Sequence, residues 1–113
     1  MMTATGMDYG NKALASVYEI ERTVEIHLTG GKTFRLEVAR CVKGTADVHY
    51  VVWYYEQHTR HIALNGTISA ESVPHSTPYC IWVPDNHLPW VNQPSADLAL
   101  SQAIDWLAER RSN

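Results

Sequence analysis

The chain has 113 residues, 45% of them hydrophobic and 19% charged, with a formal net charge of -3. That length holds one domain, and the composition excludes a disordered or collagen-like chain. Twelve acidic residues against nine basic ones, with no run of either sign, argue against a nucleic-acid or anionic-membrane binder.

No stretch reaches the roughly eighteen apolar residues that span a bilayer, and Met1 to Gly10 lacks the basic start and apolar core of a signal peptide. The expectation is a cytoplasmic protein with a single domain over 1–113, of which 1–8 form a frayed lead-in. In that compartment Cys41 and Cys80 are expected to be buried free thiols, and Asn65-Gly66-Thr67 is a turn rather than a glycosylation acceptor.

In chain order, Asn11 to Tyr18 suggests a short helix through Lys12, Ala13, Leu14 and Ala15. Tyr18, Ile20, Val24, Ile26 and Leu28 then alternate with polar residues, broken only at Arg22. This period of two predicts one half-buried strand, or two joined by a bulge. The pair Gly30-Gly31 makes a tight turn into Phe34, Leu36 and Val38, the strongest hairpin of the chain. Cys41 to Asp47 is expected as a connection. Val48 to Glu56 is apolar on both faces, which predicts a central strand covered twice.

His58-Thr59-Arg60 is expected as a loop, and Asn65-Gly66 as a hairpin turn into a short strand over Thr67 to Ala70. Tyr79 to Val83 is a further strand. Pro84, Pro89 and Pro94 hold the next segment extended. The final element is a helix from about Ser95 to Arg111. Ser95 caps it, Asp97 suits the positive end of its dipole, and Ala96, Leu100, Ala103, Ile104 and Leu107 form its apolar stripe. The fold class is therefore α+β, a meandering antiparallel sheet packed in two layers on a C-terminal helix, with a short N-terminal helix.

Chemistry-bearing motifs are sparse. Gly30-Gly31-Lys32-Thr33 has the end of a phosphate-binding loop, but Ile26 stands where the first glycine belongs and strands flank it on both sides. His58 and His61 beside Glu56 are weak metal candidates if a hairpin gathers them, although no ligand-spacing motif is met. Cys80 near Asp85-Asn86-His87 has the residue types of a thiol site, but its alternation with Ile81 and Trp82 favours packing. No cofactor is implied.

The unusual feature is aromatic: four Trp and six Tyr against one Phe. Trp and Tyr give large contact area with a polar tip, which suits interfaces and pockets. Trp53, Tyr54, Tyr55, Trp82, His87 and Trp90 are the expected partner or ligand surface. The leading expectation is a non-enzymatic interaction module that forms a homodimer through the sheet face or edge away from the C-terminal helix, with room for a protein partner or a small apolar or aromatic ligand.

The alternative is a small-molecule-binding protein or enzyme. Its pocket would lie between sheet and helix, lined by Tyr54, Trp82 and Trp90 with His87 or Asp85 as the polar group. A third reading, single-stranded nucleic acid stacked on aromatics beside Arg22, Lys32, Arg35 and Arg40, is disfavoured by the interleaved Glu19, Glu21, Glu25 and Glu37.

Overall fold

The computed structural model describes residues 9–44, 49–86 and 90–111. The expected frayed lead-in over 1–8 and the candidate His87 lie outside the described residues, as does Val48 at the expected start of the central strand. The elements are β1 (Val17–His27), β2 (Thr33–Lys43), β3 (Tyr50–Ile62), β4 (Ile68–Ser69), β5 (Thr77–Pro84), β6 (Asn92–Gln93) and α1 (Ala96–Arg111). They form one antiparallel six-stranded sheet with the helix on one face, the expected α+β two-layer arrangement.

The N-terminal helix does not form. Leu14 closes a single turn on the Asn11 carbonyl, and the Asn11 side chain accepts from the Ala13 N–H. A segment this short cannot repay helix nucleation, and Val17 onward is drawn into the ladder with β2. Two connections also prove to be strand: β2 continues to Lys43, and β3 runs straight through His58-Thr59-Arg60 to Ile62. Polar side chains there reflect a strand whose two faces are half solvated, not a break in the backbone.

The β1–β2 register skips at Glu21: Ile20 opposes Ala39 while Arg22 opposes Val38. The extra residue exchanges the faces of the strand. Val24 and Ile26 lie opposite Leu36 and Phe34 on the helix side, whereas Tyr18 and Ile20 lie opposite Cys41 and Ala39 on the other.

The main core is built from Phe34, Leu36, Val38, Val52 and Tyr54 of the sheet, Val91, and Ala99, Ala103 and Leu107 of α1. Each fully buried large side chain among them contributes about 1.5–3 kcal/mol. The buried stripe of α1 therefore runs through Ala99, Ala103 and Leu107. Ala96, Leu100 and Trp106 flank it, while Ile104, expected inside, is 36% exposed. The two alanines let the helix lie close to the sheet. Ser95 caps it as expected: its Oγ accepts from the Leu98 N–H at 3.1 Å, and its carbonyl from the Ala99 N–H. Arg22 reaches Asp97 in the first turn of the helix at 3.0 Å.

β3 is the spine of the sheet. On one edge it pairs with β2 through Tyr50 to Glu56 and with β4 at His61 and Ile62. On the other it pairs with β6 at Tyr50 and Val51 and with β5 from Tyr55 to Ile62. The helix lies over β2, the first half of β3 and β6. The second half of β3, with β4 and β5, projects as an arm, and the molecule measures 56 × 33 × 25 Å.

Candidate functional site

The alternation of β3 distributes the expected aromatic surface over both faces. Tyr54 points to the helix and is buried in the main core, so it is not an open partner residue. Burial pushes its phenol up to about 12. Trp53 and Tyr55 point to the opposite face. There Val51 and Ala39 are already fully buried by this one chain, and Trp53, half-buried, meets the Tyr18 ring edge-on at 5.8 Å between centroids. Tyr18 in turn meets His49 edge-on. This part of the face is a second small core rather than bare surface. The need for an outside cover, inferred from the doubly apolar Val48 to Tyr55, is to that extent removed.

Further along the same face Trp82 lies half-buried beneath the Arg35 guanidinium, 4.4 Å from the ring centroid, a cation–π contact. Tyr55 stands opposite Arg35 in the ladder. Its phenol is held above the usual range first by burial and then by donating to the Glu37 carboxylate, with Arg35 pulling the other way. Arg35 therefore serves this face, whereas Arg40 lies near Glu19 and Glu21 and Arg22 near Asp97 on the helix side. The basic residues do not gather into one surface.

The thiol and metal candidates separate. Cys41 is buried, but Cys80 is exposed on β5, opposite Thr59, contrary to the expected buried thiol. Edge strand β5 lacks a covering layer there. Glu56 and His58 share a face, with 3.6 Å between Oε1 and Nε2. His61 is an odd number of residues away and points to the other face. The turn that was to gather the three is a continuous strand. Among the described residues no group of three His, Cys, Asp or Glu is placed to hold a metal ion.

A cavity of about 490 Å³ lies beside β3, near the end of β5. β6 ends at Val51 and the β5 ladder begins at Tyr55. The Asp85 N–H donates to the Tyr54 carbonyl at 2.9 Å, so the backbone groups of Tyr54 face this edge. Those of Val52, two residues away, face the same edge by strand alternation, and position 87, which this register sets opposite Val52, lies outside the described residues. Trp53, Tyr54, Tyr55, Asp85, Asn86 and Trp90 line the cavity, with Val52 and Pro84.

Its place differs from the expected pocket between sheet and helix: among the described residues no residue of α1 lines it, and Trp82 does not either. Tyr54, Trp90 and Asp85 do meet there. Trp90 is 62% exposed and forms an open wall. Pro84, Asn86 and Val52 join the lining without any signal in their residue types, and only the folded path of the chain brings them there. Comparison with protein-family models, with curated proteins and with solved structures finds no match to this chain.

Proposed function

We propose that this chain is a binding module that works by association of its sheet, with a second copy of the chain as partner at the arm. The observation that carries the proposal is the outer edge of β5. From Thr77 to Pro84 the strand has no charged residue, and Thr77 to Cys80 are all exposed. The opposite free edge, β1, carries Glu19, Glu21, Arg22 and Glu25, charges of the kind that discourage edge pairing.

The pairing of β5 with β3 sets which groups remain available. Residues 77, 79, 81, 83 and 85 turn their backbone groups to β3, so those of Cys80 and Trp82 point outward, between Pro78 and Pro84. Antiparallel pairing with a second β5 about a twofold axis near Ile81 sets Cys80 against the partner's Trp82 and satisfies both outward N–H groups in each copy. The prolines, which have no N–H to give, keep the junction short. Beside this edge Ile62, Ile68 and Tyr79 remain exposed on the helix side of the arm and add apolar contact.

Sedimentation velocity with reductant, from low micromolar to near-millimolar chain, tests the reading. The expected result is a concentration-dependent species of twice the 12.8 kDa chain mass. Cys80→Lys, which places a charge on the edge and leaves the β3 pairing intact, returns it to monomer. A wild-type monomer throughout that range, or a dimer indifferent to Cys80→Lys, overturns the proposal. A second reading, small-molecule binding, is favoured by the cavity at the β3 edge, whose volume lies within the range of ligand pockets.

A further inference from the structure

We infer that the tip of the β3–β4 hairpin modifies itself: the Gly66 nitrogen closes on the Asn65 side chain and converts it to an aspartyl or isoaspartyl residue, at a rate set by opening of the turn. The inference rests on the hairpin tip alone and is independent of self-association. Asn65 is the only asparagine of the chain followed by glycine; Asn11, Asn86 and Asn92 precede Lys12, His87 and Gln93. The tip is open as well. Leu64 to Thr67 are all exposed, and nothing lies within 4 Å of the place where a Gly66 side chain would stand.

The reaction needs no group but water. The Gly66 nitrogen attacks Cγ of Asn65, a C–N bond forms, and the Cγ–Nδ2 bond breaks. Nδ2 leaves as ammonia with the proton that the Gly66 nitrogen gives up, and a succinimide ring remains. Water then opens the ring at either carbonyl. Opening at Cγ gives aspartate. Opening at the backbone carbonyl gives isoaspartate, in which the main chain runs through the side chain and is one methylene longer. A residue with a Cβ after the asparagine crowds the attacking nitrogen. Glycine does not, and its freedom at positive φ lets the chain swing toward the ring geometry.

Two hydrogen bonds hold the closed turn back from reaction. The Gly66 N–H donates to the Ala63 carbonyl at 2.9 Å, so the attacking nitrogen is engaged within the turn. The Asn65 Oδ1 accepts from the Thr67 N–H at 3.0 Å, which fixes the side chain that must rotate. Beyond them the tip is lightly fastened. The Ala63 N–H donates to the Thr67 carbonyl at 2.9 Å, and β4 brings only Ile68 and Ser69 to the ladder. The exposed surroundings offer little dry contact to oppose opening. The isoaspartyl product cannot return to the closed form, because its extra methylene displaces Gly66 and Thr67 relative to Ala63. Conversion therefore leaves the hairpin permanently loosened, with a new carboxylate at its tip.

The full chain, folded and unfolded in guanidinium chloride, is held at mildly alkaline pH and sampled by peptide mass spectrometry, which locates amide-to-acid exchange and separates aspartate from isoaspartate. The expected result is conversion at Asn65 in both states, about ten- to a hundredfold slower when folded, as release of two such hydrogen bonds implies. Gly66→Ala, compared in the unfolded state where strain of the turn plays no part, slows the conversion. In the isoaspartyl product the Ala63 amide exchanges with solvent faster than in the unconverted chain. Asn65→Asp, with the same charge and no added methylene, keeps that amide protected. No folded-state conversion within about a hundred half-lives of the unfolded chain, equal rates in the two states, or an isoaspartyl chain with the Ala63 amide still protected overturns the inference. None of these outcomes bears on whether the chain dimerises.

Discussion

Tyr54 links the core to the cavity, and its ionisation offers a direct test of how it is held. It is 6% exposed, and burial raises its pKa from 10.0 to about 12. In the unfolded chain the phenol ionises at its ordinary value. The folded state therefore keeps the proton to higher pH, and the stability tied to the neutral phenol is intact below about pH 10 and lost as pH rises toward 12.

For this pair of values the loss is on the order of 1 kcal/mol at pH ~11 and on the order of 2 kcal/mol near pH ~12. Tyr54→Phe has nothing to ionise and escapes that loss. Urea unfolding of both proteins, followed by far-ultraviolet circular dichroism at about pH 8 and about pH 11, measures it as a difference of differences. Tyr9, Tyr18 and Tyr55, whose phenols are also raised, are present in both proteins and cancel. If wild type and Tyr54→Phe lose the same stability between the two pH values, the phenol is not held in the dry layer under α1 and the assignment of Tyr54 to the helix face is wrong.

Leu107→Ala removes a fully buried side chain where α1 meets the sheet and is expected to cost about 2–5 kcal/mol in urea unfolding; a loss below about 1 kcal/mol would show that the helix does not seat there. Gly66→Ala, at φ +87° with open space around the new methyl, is expected to cost about 1 kcal/mol from backbone strain alone. Gly44→Ala adds to such strain, at φ +138°, a contact of 3.1 Å with Ser16 Cβ, so calorimetry should find it the less stable of the two, and the reverse order would refute the described path of the chain at Ser16.

Elements fixed by local chemistry were legible in the sequence. The Gly30-Gly31 and Asn65-Gly66 turns, the alternation of Phe34, Leu36 and Val38, and the Ser95 cap each depend on a few adjacent residues, and each element appears close to its expected place. What escaped depends on pairing. Arg60 and His58 look like loop residues, but β5 and β3 hold each other extended through them. In β1 the alternation runs on through Glu21 while the faces exchange there, because a bulge leaves the spacing of apolar residues intact and changes only their partners.

The site divides in the same way. Residue type groups Tyr54, Asp85 and Trp90, and they meet; it groups Trp82 with them too, but the ladder sets Trp82 opposite Gln57 and outside the described lining. Val52 carries no chemical signal at all. Its part in the cavity comes from its place on β3 beside Trp53 and Tyr54.

The shared spine grades local stability along a single strand. The first half of β3 is clamped between β2 and β6 under a helix, with Val51 and Val52 nearly sealed from water, whereas Thr59 to Ile62 rest mainly on backbone pairing to strands that are themselves exposed. Opening of the arm thus breaks ladder bonds but little dry contact, and it costs less than unfolding the whole chain. Anything that docks on the outer edge of β5 must first hold this looser half in order, so its affinity includes the price of quenching that opening.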